Sequence, residues 1–291
     1  MNTEKHLDSF VELIRLASTD LPHDVEEKIV QGLQNEEKDS SAYKSLKAIV
    51  NNISIAREQS LPMCQDTGTN IYFIKAPYSV RHADLVKTIK KATTIATEKG
   101  YLRPNTVDTL TGKNLEKNWG EGQPFFHIEQ VEADKLEINL ILKGGGCENV
   151  GAQYSLPDAS ISAGRDISGI KKCILDAAFK AQGRGCAPGI LGVGIGGDRA
   201  TSYLLSKEQF TRTLNSSSTN PLLASMEKEL YAKCNQLEIG PMGYGGKTTV
   251  LGVLIGSQTR IPASYFVSIS YMCWTFRRRS LIFENNRISY E

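Results

Sequence analysis

The sequence predicts a mixed α/β fold: a helical N-terminal segment over residues 1–60, then an α/β domain with mixed sheets and glycine-rich active-site loops over 61–291, one continuous domain overall. Three observations predict it. Apolar residues recur at helical spacing through the first sixty positions. From residue 70 onward, short apolar runs alternate with amphipathic stretches. Glycine-rich islands interrupt that alternation where strands should end.

The elements follow in order. Val11, Leu13, Ile14 and Leu16 form one helical stripe, and Val25, Ile29, Val30 and Leu33 a second. Leu21-Pro22 separates them, because proline disfavours helical backbone in the residue before it. A third helix is expected over 40–59, ending ahead of Leu61-Pro62. Residues 70–75 read as a strand, and 82–99 as a helix stopped by Gly100. Residues 125–131 and 135–143 alternate apolar and polar positions, and are expected to pair as a hairpin across Glu132-Ala133-Asp134. Residues 166–182 form an amphipathic helix ended by Gly183-Arg184-Gly185. A glycine-laced strand is expected at 191–195, helices at 206–213 and 221–236, and apolar strands at 248–255 and 265–271.

Composition bounds the function. A chain of 291 residues can bury a substantial core, and 40% hydrophobic with 23% charged residues is ordinary for a globular protein. A net charge of +2 without a long basic stretch argues against a nucleic-acid partner. The densest basic spot, Arg277-Arg278-Arg279, reads as a solvated face. No run approaches the roughly 18 apolar residues of a membrane span, and MNTEKHLDSF lacks a signal-peptide core. The expected setting is cytoplasmic, with no membrane partner.

In a reducing compartment, cysteines in glycine-rich loops point to metal or redox chemistry rather than a disulfide framework. Four islands carry the candidates: PMCQDTG (62–68), GGGCEN (144–149), GCAPG (185–189) and GYGGKTT (243–249). Residue chemistry alone leaves two readings of the scattered cysteines open, small buried hydrophobes or metal ligands. A zinc site lacks its compact ligand pairs. The GGKTT island is not a nucleotide phosphate loop, since Pro241 stands where the earlier glycine belongs. Lys247 on its glycine turn nevertheless suits a carboxylate.

Taken in order, CQDTG, KGGG, a Gly-Cys-x-Pro loop before GVGIGG, GGKTT and an apolar strand ending in Cys-Trp resemble the class I fumarases and the α subunit of L(+)-tartrate dehydratase. The likeness covers about residues 62–279. It implies a [4Fe-4S] cluster held by Cys64, Cys186 and Cys273, with one iron left open to act as a Lewis acid. It also implies a proton-handling role for Asp66 and substrate contacts from Gln65 and Arg103. Gly144, Gly145 and Gly146 would cradle a substrate carboxylate, with Lys247 as a further contact. Cys147 stands where many relatives have serine and is expected beside the site rather than as a ligand. Cys173 and Cys234, within helices, are expected to be structural.

Two departures accompany the likeness. Ile261 occupies a position where many relatives have a substrate-contacting histidine; either the role has moved, with Arg260 the candidate, or substrate preference differs from that of the best-known enzymes. The chain stops at Glu291, without the C-terminal catalytic domain of single-chain relatives. A separate β subunit carrying that domain is therefore expected, in a hetero-oligomer acting on a small dicarboxylate. The expected reaction is hydration of fumarate to malate. The alternatives are an L(+)-tartrate dehydratase α subunit and a non-catalytic iron–sulfur sensor.

Overall fold

Helices form where the apolar stripes predict them. The structure, a computed structural model, describes residues 3–285 and 287–291, so the first two residues of the expected helical segment lie outside the described residues. In chain order the elements are α1 (Leu7–Thr19), α2 (His23–Asn35), α3 (Ser41–Gln59), β1 (Thr69–Pro77), α4 (His82–Glu98), β2 (Phe125–Val131), β3 (Leu136–Lys143) and α5 (Gly145–Asn149). There follow β4 (Ala152–Ser155), α6 (Ile167–Ala181), β5 (Gly189–Ile195), α7 (Arg199–Glu208), α8 (Pro221–Asn235), β6 (Val250–Ser257), β7 (Phe266–Met272), β8 (Arg277–Glu284) and β9 (Arg287–Tyr290). The fold is mixed α/β, with a helical start and two mixed sheets.

The chain divides into two units, each with its own sheet. The first comprises Met1–Pro22, Asn51–Gly144 and Thr275–Glu291. Its strands run in the order β2-β1-β3-β8-β9. Leu136, Ile138, Leu140 and Leu142 alternate along β3, and with Tyr72, Ile74, Leu281 and Phe283 they form one apolar sheet face. Phe10, Leu13, Ile14 and Ala17 of α1, with Leu85, Ile89, Ala92 and Ala96 of α4, complete that core. Each fully buried large side chain contributes about 1.5–3 kcal/mol relative to exposure.

The expected hairpin does not form. β1 lies between β2 and β3, parallel to the first and antiparallel to the second. The reason is burial: Ile71, Tyr72, Phe73 and Ile74 are buried in succession, the pattern of a strand covered on both faces, so β1 takes a central place. β2 exposes Phe125, Glu129 and Gln130 and forms the edge.

The solvated arginine face is also overturned. Arg277, Arg278 and Arg279 begin β8, pairing with Leu142, Ile141 and Leu140 of β3. Arg277 is 1% exposed, and Arg279 pairs with Asp20. Leu281 and Phe283 draw this strand into the core, and the charges at its start hid that alternation.

The second unit comprises His23–Val50 and Gly145–Trp274, with strands in the order β4-β7-β5-β6. β5 runs parallel to β6 and antiparallel to β7. Its glycines serve helix packing. A Cβ at Gly192 would lie 2.2 Å from the Ser206 carbonyl, and one at Gly194 2.1 Å from that of Ser202, both on α7. The helix expected at 206–213 starts earlier, at Arg199, where Asp198 and Thr201 form a capping box. It gives way to a short 3-10 turn after Glu208.

Candidate active site

In the first unit the loop joining α3 to β1 carries Cys64, Gln65 and Asp66. Met63, buried, anchors its start: its N–H donates to the Ser18 carbonyl at 3.0 Å, and its carbonyl accepts from Asn52 Nδ2 at 2.9 Å. Past this anchor Cys64 and Asp66 are partly exposed and Gln65 is exposed. Asp66 Oδ1 accepts from the Gly68 N–H at 2.9 Å, a side-chain-to-backbone turn of the kind aspartate favours. The other oxygen faces Gly144, where a Cβ would lie 3.0 Å from Asp66 Oδ2. Gly144 is thus bare because the Asp66 carboxylate occupies the space beside it.

Thr67, fully buried, ties this loop to a second one. Its hydroxyl accepts from the Arg103 N–H at 3.2 Å and from Asn105 Nδ2 at 3.4 Å. Arg103 is exposed and returns a hydrogen bond from Nη1 to the Gln65 carbonyl at 3.2 Å. Asn118 holds the second loop, accepting from the N–H groups of Asn105 and Thr106 and donating to Thr97 Oγ1. Gln65, Asp66, Arg103 and Gly144 are therefore gathered in one unit, on elements stiffened by a sheet and a helix.

The second unit gathers the rest. Gly145 and Gly146 are exposed at the start of α5, and Cys147 just after them is buried. Cys186 sits in left-handed backbone, φ 55° and ψ 63°, a conformation costly for a side-chain-bearing residue and concentrated at functional sites. Its carbonyl accepts from the Trp274 N–H at 3.3 Å, so the segment carrying Cys273 runs beside the Cys186 loop. The ring of Tyr271 packs on the same loop: a Cβ at Gly185 or Gly189 would come within 2.5 or 2.2 Å of it. Burial raises the Tyr271 pKa, with further raising contributions from Cys273, Cys147, Cys186 and Cys234. Cys173 and Cys234 are fully buried in α6 and α8, and burial pushes each thiol up to about 12. Such thiols stay protonated and make poor ligands, since a metal takes the thiolate.

The GGKTT loop holds a feature that sequence reasoning missed. Glu36, buried just past α2, accepts from the Lys247 N–H at 3.0 Å and the Thr248 N–H at 2.8 Å. Gly246 makes room at φ 126°, where a side chain would strike Ala42 and Glu36. The backbone nest offered by this loop is thus filled by the chain's own carboxylate. The Lys247 residue remains exposed. The other end of the loop reaches the Cys186 loop, with the Met242 N–H donating to the Ala187 carbonyl at 2.8 Å. Arg260 is engaged close to its own position in the chain. It lies 3.9 Å over the Tyr265 ring and donates to the carbonyls of Ile261, Pro262 and Ser264. Ile261 itself is 68% exposed.

These cysteine, aspartate and arginine loops occur in the order that the sequence motifs set, and the comparison with known families decides their kinship. A family profile described as Fumarate hydratase (Fumerase) matches residues 7–282. The chain belongs to that family. Within the fumarate hydratase family it is 47% identical, over 97% of its length, to a Geobacillus stearothermophilus protein named for class I fumarate hydratase. It spans 56% of that relative, just over half. A Methanocaldococcus jannaschii protein named for the L(+)-tartrate dehydratase subunit alpha is 37% identical, covering 93% of this chain and 95% of its own. The L(+)-tartrate dehydratase subunit alpha of Escherichia coli O157:H7 is 32% identical, over 92% of this chain and 87% of its own. Among the described residues, no helix is long and apolar enough to cross a membrane. No three of their His, Cys, Asp or Glu side chains converge as a single-ion metal site. An iron–sulfur cluster makes a different demand, because each cysteine binds its own iron.

Proposed function

We propose that this chain is the α subunit of an iron–sulfur hydro-lyase that hydrates fumarate reversibly to malate, completed by a separate β subunit. Membership of the family supports the reaction class. The observation that carries the reading is that Gln65 and Asp66 directly follow Cys64 on a loop hydrogen-bonded to that of Arg103. The chemistry of the donors supports this: thiolates suit iron, Cys64 and Cys186 are partly exposed, and Cys273 lies on the segment bonded to the Cys186 loop. Cys64, Cys186 and Cys273 would hold a [4Fe-4S] cluster, which supplies Lewis acidity to the substrate hydroxyl when bound.

The chain's own residues supply the rest. Asp66 exchanges the proton at the neighbouring carbon, with Oδ1 fixed by Gly68 and Oδ2 aimed past Gly144. Arg103 offers its guanidinium fork to one substrate carboxylate, and Gln65 orients the substrate beside it. The exposed start of α5 at Gly145 and Gly146, with Lys247, receives the other carboxylate. The setting is cytoplasmic, where the partly exposed Cys64 and Cys186 stay reduced.

A second reading, L(+)-tartrate dehydratase, has its own support. The relatives named for that enzyme's alpha subunit are matched along 95% and 87% of their length, against 56% for the one named for fumarate hydratase. Anaerobic co-purification with the β partner, followed by assays on fumarate, malate and both tartrates, separates the two. Cluster binding without turnover of any of them would leave the iron–sulfur sensor as the reading.

A further inference from the structure

Arg277 is the largest fully buried side chain of the protein. It starts β8, opposite Leu142 of β3. Its Nη1 donates to the main-chain carbonyl of Asp66 at 2.7 Å. Its Nη2 lies where a Cβ at Gly68 would come within 3.0 Å, and one at Gly144 within 3.6 Å. Its Nε is buried and has no hydrogen-bond partner. Burying a guanidinium costs several kcal/mol, and an apolar side chain of the same volume would fill this place at lower cost. A packing role therefore does not account for it.

What the guanidinium does is brace one turn. It donates to the carbonyl of Asp66 and fills the side-chain space beside Gly68, whose N–H binds Asp66 Oδ1, and beside Gly144, which borders Asp66 Oδ2. We propose that Arg277 is a positioning residue that fixes the Asp66-Thr67-Gly68 turn, and through it the aim of Asp66 Oδ2 past Gly144. The inference rests on the reading of Asp66 as the proton-handling residue. A lysine has charge but no planar fork, so it reaches one of these points and not all of them.

Two measurements on wild type, Arg277→Lys and Arg277→Met test it. Hydrogen exchange followed by mass spectrometry on the full chain reports the turn directly. Exchange over residues 62–70 is expected to quicken about tenfold in Arg277→Met and less in Arg277→Lys, with α1 and β3 unchanged. In the complex with the β partner, kcat is expected to fall about 100-fold in Arg277→Met at nearly constant KM and unchanged iron content, with part of the loss restored in Arg277→Lys. Unchanged exchange over 62–70, equal acceleration in α1 and β3 in both variants, or a loosened turn with undiminished kcat would each overturn the proposal. A wild-type complex inactive on every dicarboxylate would sink the enzymatic reading instead, and the exchange data would still decide whether Arg277 holds the turn.

Discussion

Asp66 accepts the Gly68 N–H on one carboxylate oxygen, and its other oxygen lies beside Gly144. Asparagine at this position keeps an acceptor for Gly68 and nearly the same volume, but cannot take up a proton. Asp66→Asn is expected to lower kcat by about 10²–10⁴-fold while iron and sulfide content stay at the wild-type level; loss of the cluster would assign Asp66 to folding instead. The cysteines divide in the same way. Single serine substitutions at Cys64, Cys186 and Cys273 are expected to abolish cluster assembly on anaerobic reconstitution, whereas Cys147→Ser retains it. Cys147 is buried in α5, directly after the exposed Gly145 and Gly146, so iron analysis of that variant is the sharper measurement. At this scale the candidate loop was readable because its residues lie within one short motif. Cys64, Gln65 and Asp66 are consecutive, and their loop announces itself by turn residues. Glu36 and Arg277 were not readable, because each holds a backbone 211 residues away, and a lone acid or arginine carries no local mark of such a distant contact.

At the scale of elements, helices were legible and strand order was not. Apolar periodicity shows which face of α1 or α4 is buried, but says nothing of which strand lies beside which. Residues 125–143 look like a hairpin until the uninterrupted apolar run of β1 claims the central place. The Glu36 clamp joins the end of α2 to the loop before β6 and offers a test at this scale. Glu36→Ala leaves the buried Thr248 N–H and the partly buried Lys247 N–H without their charged acceptor, a loss of about 2 kcal/mol in a chemical-denaturation series. It is also expected to raise KM more than it lowers kcat, since the Lys247 backbone is what it secures. The α6–α8 pair supplies a pH test. Glu229 bridges Lys171 and Lys233, and hydrogen bonds from both lower its pKa to about 2. Its folded pKa lies below the usual 4.5, so its contribution is present above pH 4.5 and is lost as pH falls toward 2. Melting curves of wild type and Glu229→Gln should therefore differ at pH 7 and converge near pH 2; a constant gap would show that the bridge does not titrate as described.

For the molecule as a whole, the residues named here are, on the proposed reading, cluster ligands, one proton carrier and part of a carboxylate grip, and that sets what the chain is expected to do by itself. A dicarboxylate has two charged ends, and an addition of water across its double bond requires both ends fixed while a proton is managed at one carbon and oxygen at the other. Arg103, Lys247 and the start of α5 are each exposed. On the proposed reading, exclusion of water, which strengthens such electrostatic contacts, is expected of additional protein, the β subunit. The Geobacillus relative, of which this chain spans 56%, has room for that protein within a single polypeptide. The relatives named as alpha subunits are matched nearly end to end. The expected outcome is a separation of cluster binding from turnover. Reconstituted anaerobically by itself, the chain should bind close to four irons and four sulfides, as a single [4Fe-4S] cluster requires, yet show no measurable hydration of fumarate. Titration with the β partner should restore activity in proportion to complex formed and saturate at equal stoichiometry, read by sedimentation and initial rates in the same samples. Full activity of the isolated chain would show that Asp66, Arg103 and Lys247 suffice without a second polypeptide.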